Sequence, residues 1–222
     1  MKVIYEDNHI LVIEKPVNVP MQEDSSEDMD VIRLAKEYIR VKYNKPGNVL
    51  CGLVHRLDRP VGGVVVLAKT SKAASRLSES IRTNKFVKKY CAVVVGKLPH
   101  DKILKDYLYK DEKTNTSRVT SEKYGKYAEL SFKVLDNRSP LSLIQIELKT
   151  GRSHQIRVQF ASRNCPLYGD QRYNSEAHVG QQIALWATEL TFPHPTTQEH
   201  LTFVSNTPNT EPWIQFKEKE SN

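Results

Sequence analysis

The chain has 222 residues, 39% hydrophobic and 27% charged, which fits an ordinary globular protein with a sizeable core. No run approaches the roughly 18–20 apolar residues that a membrane-spanning helix needs. Cys51, Cys91 and Cys165 lie too far apart for a disulfide framework or a Cys-x-x-Cys metal site. Lys and Arg number 33 against 26 Asp and Glu, a net charge of +7 that favours a polyanionic partner without identifying one.

The opening reaches Glu6 and Asp7 at once and lacks an apolar signal-peptide core, so a cytoplasmic location is expected. Val3-Ile4-Tyr5 and Ile10-Leu11-Val12-Ile13 flank the turn pair Asp7-Asn8 and predict a hairpin. Lys15-Pro16 ends it, because proline cannot donate to a ladder. The acidic stretch 23–30 reads as a solvated loop leading into a helix with Val31, Leu34, Tyr38 and Val41 at helical spacing. Pro46-Gly47 closes that unit. The β-branched run 64–68 predicts a buried strand. Ser71 is the expected N-cap of a helix reaching about Arg82, with Asn84 as its stop.

Further strands are predicted at 86–95, 128–135, 141–148, 183–192 and 201–204, with a helix at 154–163 after the Thr150-Gly151 turn. Strands outnumber helices and do not alternate strictly with them, which argues an α+β fold. No linker or repeat divides the chain, so a single domain over 1–222 is the expectation.

Two segments carry chemistry. In the first, His55-Arg56-Leu57-Asp58-Arg59-Pro60-Val61-Gly62-Gly63, a carboxylate sits between two arginines just before the buried strand. Pro60 and the paired glycines tighten a loop and let a ligand's backbone approach closely. The second, Thr150-Gly151-Arg152-Ser153-His154-Gln155-Ile156-Arg157, is a glycine turn followed by donors at a helix start, which suits phosphate and polar-base contacts. Ser153-His154 is no hydrolase dyad, since sequence neighbours point in different directions.

Taken together these segments resemble the RluA-type RNA pseudouridine synthases. That family is marked by a His-Arg-Leu-Asp loop ahead of an apolar strand ending in Ala-Lys, here Ala68-Lys69, and by the Thr-Gly-Arg-Ser-His-Gln-Ile-Arg run. Pro166-Leu167-Tyr168-Gly169-Asp170, the strand Lys88-Lys89-Tyr90-Cys91-Ala92 and the closing Phe192-Pro193-His194-Pro195 also fit, so the likeness spans nearly the whole chain. Two departures stand out. The catalytic loop has Val61-Gly62-Gly63 where Thr-Ser-Gly is commoner, and Trp186 stands where histidine is usual.

The resemblance implies the pseudouridine synthase fold, a mixed and largely antiparallel sheet flanked by helices, with a central catalytic cleft and no separate RNA-binding domain of the S4 type. It implies Asp58 as the catalytic carboxylate, acting as nucleophile or base, with Arg157 as its cationic partner. Tyr90 is implied to pack on the extruded uracil, and Arg56 to enter the helical stack and hold the base out. Leu185 becomes an apolar wall by looser analogy. Arg152 and Gln155 are candidates for phosphate contacts, as are Lys85, Lys88 and Lys89. The partner is RNA, ribosomal in preference to transfer RNA, and the expected state is a monomer. Neither cofactor nor metal is expected, since no P-loop, G-x-G-x-x-G or His/Cys ligand cluster occurs.

The alternative is a catalytically silent RNA-binding relative, against which the intact Asp58, Tyr90 and Arg157 argue. A glycoside or nucleoside hydrolase needs a second carboxylate about 5 to 9.5 Å away, and none accompanies these motifs. A small RNA-binding module is disfavoured because no RNP, KH or zinc-knuckle pattern occurs.

Overall fold

The computed structural model describes residues 1–98 and 100–217. In chain order the elements are β1 (Lys2–Glu6), β2 (Ile10–Lys15), α1 (Val31–Lys42), β3 (Gly52–Leu53), β4 (Gly62–Ala68), α2 (Ser71–Arg82) and β5 (Val87–Val95). There follow β6 (Lys102–Asp111), β7 (Thr116–Thr120), β8 (Lys126–Arg138), β9 (Leu141–Leu148), α3 (Gln155–Ala161), β10 (Leu185–Pro193), β11 (His200–Val204) and a 3-10 turn, Trp213–Phe216. The architecture is α+β with mostly antiparallel strands, as the sequence predicts. No helix among the described residues is long and apolar enough to cross a membrane. The chain divides into two compact units, the first made of Met1–Lys88 with Ala187–Asn206, the second of Lys89–Trp186 and the segment from Thr207 onward.

In the first unit the strands run β1-β2-β4-β10, with β11 beside β10 and β3 beside the end of β4. Asp7 makes the opening hairpin. Its Oδ1 accepts from the backbone N–H groups of His9 and Ile10 at 2.7 and 2.9 Å, and its Oδ2 meets His194 Nε2 at 2.8 Å. Every residue of Ile10–Ile13 and Val64–Ala68 is fully buried, which is why both strands read as unbroken apolar runs. Glu6 ties β1 to its surroundings. Burial pushes its carboxyl up, but hydrogen bonds from Lys42, Lys69, Tyr43 and Tyr38 outweigh that and bring it to about 2.

α1 starts where Asp30, itself buried, accepts from the Arg33 N–H at 2.9 Å. Its buried face is Val31, Ala35 and Ile39, not the expected Leu34, Tyr38 and Val41. Tyr38 instead donates its hydroxyl to Glu6 at 2.9 Å, and Val41 is 69% exposed. In α2 the cap is Thr70 rather than Ser71, its Oγ1 accepting from Ala73 N–H at 3.0 Å. Asn84 ends the helical region in the left-handed conformation, at φ 57°.

In the second unit the strands run β5-β9-β8-β6-β7. The hairpin β6–β7 was not legible in the sequence. Leu104 and Leu108 are its buried anchors, spaced like a helix, because Asp106 occupies the core-side position between them. The structure satisfies that carboxylate with Gln159 Nε2 at 2.7 Å and Arg163 NH1 at 2.9 Å. α3 packs on the same side. Val158 joins Leu108 and Ala128, and the Phe160 ring meets Phe132 edge-on at 5.2 Å.

Gly63 corrects the expectation that its missing side chain admits a ligand. At φ 121°, a Cβ there would lie 2.2 Å from the Ala187 carbonyl oxygen and 2.5 Å from its nitrogen, so the backbone it admits is that of β10. Gly47 shares the backbone conformation, at φ 117°, but a Cβ there would meet nothing within 4 Å. Gly47→Ala is therefore expected to cost about 1–3 kcal/mol of strain, and Gly63→Ala clearly more, since β4 and β10 must also separate. Urea unfolding of the two variants checks this; equal losses would remove the close-approach explanation.

Candidate active site

Asp58 lies, half-buried, in the loop 54–61 that joins β3 to β4. Its carbonyl accepts from the Val61 N–H at 2.9 Å and closes a turn through Arg59 and Pro60. Behind this turn is Lys15, the last residue of β2 and completely buried. Its ammonium donates to the carbonyls of Pro16, Arg59 and Val61 at 3.0, 2.9 and 2.7 Å. Three acceptors match the three N–H groups of a charged lysine. Burial pulls this ammonium down to about 7; the negative charge of Asp58 opposes the fall and Arg59 adds to it. In the sequence Lys15 stands out only as a strand end. A lysine closing a buried apolar strand was the available signal.

The two arginines beside Asp58 turn toward the segment 22–28. Arg56, exposed, donates to Gln22 Oε1 at 3.0 Å. Arg59 donates to Ser26 Oγ at 2.9 Å and Asp24 Oδ2 at 3.2 Å, and also pairs with Asp28. The acidic stretch is thus more than the solvated loop expected: its carboxylates fasten the outer side of the Asp58 turn. His55 fastens the loop to β4, its Nε2 accepting from the Val66 N–H at 3.1 Å. Its Nδ1 is buried without a hydrogen-bond partner among the described residues. Burial lowers this imidazole to about 3, with the charge of Lys88 adding to the fall, so the ring is neutral.

Tyr90, Arg152, Gln155, Arg157 and Leu185 lie in the second unit, whereas Lys85 and Lys88 belong to the first. Arg157 is buried on α3 and forks onto Asp170, Nε to Oδ2 and NH2 to Oδ1, both at 2.8 Å. Its guanidinium carbon stands 5.2 Å from the Tyr173 ring centre. The Tyr173 hydroxyl accepts from Ser117 N–H and meets His154 Nδ1, each at 2.7 Å. His154 therefore belongs to this network, not to a dyad with Ser153; it sits ahead of α3 in the left-handed region at φ 52°. Asp170 entered the sequence reading only as part of a motif, yet it orients Arg157.

The helix start is not the open phosphate site that was expected. Six consecutive residues of α3, from Gln155 to Phe160, are buried. Gln155 Oε1 accepts from Thr150 Oγ1 at 2.7 Å and Arg152 N–H at 3.0 Å, and its Nε2 donates to the Glu129 carbonyl at 3.1 Å. That side chain holds the Thr150-Gly151 turn rather than reaching for a phosphate. Arg152 is exposed, with Nε on the Tyr127 carbonyl at 2.8 Å. Tyr90 is buried within β5, and Leu185 is buried at the start of β10.

Two measurements probe the loop's supports. His55, ordinarily near 6.5 and held at about 3 in the fold, gives a stability that is full above pH 6.5 and falls as the unfolded chain takes up the proton. The limiting slope for one proton is about 1.4 kcal/mol per pH unit. Unfolding free energies from pH 7.5 to 5 are expected to drop more steeply in the wild type than in His55→Gln; parallel curves would contradict the buried neutral ring. Lys15→Met leaves three carbonyls unpaired and is expected to cost about 3 kcal/mol in urea unfolding. A loss below about 1 kcal/mol would mean that the turn is held by other contacts.

Residues 9–162 match the model of the RNA pseudouridylate synthase family. The chain is 34% identical over 204 residues to ribosomal large subunit pseudouridine synthase C of Buchnera aphidicola, covering 87% of this chain and 63% of that protein. It is likewise 34% identical to an uncharacterised RNA pseudouridine synthase of Bacillus subtilis, over 90% of this chain and 66% of that one. The chain thus spans slightly less than two thirds of these relatives' length. Among solved structures, human RNA pseudouridylate synthase domain containing 4 superposes with a TM-score of 0.79 at 22% identity, covering 94% of this chain and 89% of that one, a likeness of fold. With the family match running from β2 through α3, the chain belongs to the RNA pseudouridylate synthase family.

Proposed function

We propose that this chain isomerises uridine to pseudouridine in a structured RNA, with Asp58 as the reacting carboxylate. The observation that carries the reading is the fastening of the Asp58 turn, gripped from within by Lys15 and from outside through Arg59. A carboxylate that must act on one glycosidic carbon needs such pre-set geometry. The reaction breaks the N1–C1′ bond, turns the uracil and forms a C5–C1′ bond; the proton at C5 leaves and N1 gains one, so no redox step is involved.

In this reading Asp58 is nucleophile or base, and Arg157 is the cation that offsets its desolvation. Tyr90 packs on the extruded uracil, and Arg56 enters the stack from which the base has left. Ribosomal RNA is the preferred substrate, in keeping with the names of the relatives, with transfer RNA next, and the setting is the cytoplasm.

The test is tritium release from RNA labelled at uridine C5, on ribosomal and transfer RNA pools. The wild type is expected to release tritium from one pool. Asp58→Asn is expected to lower the rate at least about 10³-fold while RNA binding persists. Substantial turnover by Asp58→Asn, or release of free uracil in place of tritium, would overturn the assignment.

A further inference from the structure

The second unit presents an open sheet face whose chemistry has no part in the site above. Directly paired residues share a face. The registers therefore place Lys105 with Glu129, Tyr107 with Tyr127 and Thr120, and Tyr109 with Arg118 on one side. Ser131 with Glu147 and Lys133 with Gln145 continue it across β8 and β9. The other side holds Leu104, Leu108, Ala128, Leu130 and Phe132, all buried, with α3 packed on it. The open face carries Tyr109 and Tyr127 at 40% and 38% exposure.

Its aromatic rings are grouped. Tyr107 and Tyr127 meet edge-on with centres 5.8 Å apart, and the Arg118 guanidinium carbon lies 5.1 Å from the Tyr109 ring centre. Beyond them the face dips into a cleft of about 550 Å³ lined by Lys89, Lys102, Lys133, Ser131, Gln145 and Glu147. Two acids also line it and both are engaged: Asp101 Oδ1 accepts from the Val134 N–H at 2.8 Å, and Glu147 pairs with Lys149 at 2.8 Å. Lys89 lines this cleft, and strand alternation turns its neighbour Tyr90 to the opposite face of β5.

We propose that this face is a second RNA-binding surface, taking an unpaired stretch of the RNA other than the one that holds the target uridine. Bases stack on the Tyr107, Tyr109 and Tyr127 platform, and phosphates meet Arg118, Lys133 and the cleft lysines. Flat rings on an exposed sheet suit single-stranded nucleic acid, because every base has a face to stack and every linkage a charge; Arg118 flanks Tyr109, while the Tyr127 and Tyr107 hydroxyls are hydrogen-bonded to Glu129 and Glu122. The positive balance of the whole chain points to the same partner. The proposal rests on the reading of the chain as an RNA enzyme, but the platform is open to direct measurement.

The probe is a fluorescent oligoadenylate, which contains no uridine and so is not a substrate. Wild type and Asp58→Ala are expected to bind it alike by anisotropy. Tyr109→Ala/Tyr127→Ala is expected to weaken binding by about tenfold or more, whereas the Phe counterparts retain it. Arg118→Gln/Lys133→Gln is expected to reduce the slope of log affinity against log salt by about 1.4, two single-strand phosphates' worth. In tritium release, both variants raise KM on long RNA and leave kcat, and turnover of a short stem-loop, unchanged. No oligoadenylate binding by the wild type, undiminished binding by the platform variants, or equal loss on the stem-loop each overturns the proposal. So does concentration-dependent self-association abolished by the same substitutions, which would assign the face to a second copy of the chain. Were the wild type to release no tritium from any RNA, the catalytic reading would fall, while the anisotropy result would still decide the platform.

Discussion

The Asp58 turn depends on one buried ammonium. A lysine with no exposed surface is costly unless each N–H finds an acceptor, and Lys15 finds three, two of them the carbonyls of Arg59 and Val61. Those two groups stand on the turn that begins at Asp58, so the carboxylate inherits its position from the end of β2, a strand whose residues Ile10–Ile13 are fully buried. The dependence is mutual. Burial favours loss of the lysine's proton and the Asp58 charge resists that loss, so the fastening is strongest while a negative charge stands on the turn.

The loop then sorts its cations by side. Lys15 lies inside, while Arg59 reaches outward to Asp24, Ser26 and Asp28, and Arg56 to Gln22. Exposed pairs of this kind contribute little to stability and weaken with salt. The inner contacts are desolvated and backbone-directed, so they set geometry; the outer ones are solvent-exposed and exchangeable. In the second unit Arg157 is fixed by similar means, a two-point fork onto Asp170 and a stack against Tyr173. Such a guanidinium keeps its plane, which a lysine on the same helix could not do.

Much of this was legible in the sequence, and the misses have physical causes. The strands of the first unit stood out because burial on both faces makes them continuous apolar runs, as in Val64–Ala68. β6 was hidden because Asp106 sits on its core side, satisfied by Gln159 and Arg163, which only tertiary structure brings near. The α1 face was misjudged because Tyr38 counts as apolar by spacing but is placed by its hydroxyl on Glu6. Motif resemblance drew Asp58 and Arg157 out of the chain. It gave no weight to Lys15 or Asp170, whose roles lie in what they hold, and it read Gln155 as a reaching donor although its amide is used on Thr150, Arg152 and Glu129.

The loop's departure from the commoner family pattern, Val61-Gly62-Gly63, follows from the same logic. Lys15 grips position 61 through its carbonyl, and position 61 closes the turn through its N–H, so neither contact depends on the side chain. The side chain itself is 1% exposed, where valine is accommodated without the hydrogen-bond partner that a buried hydroxyl requires. Only Gly63 meets a geometric demand that no other residue satisfies, because β10 occupies the space its Cβ would need. A turn fastened by backbone atoms tolerates exchange of its side chains, and the substitution at position 61 falls where the chain can absorb it.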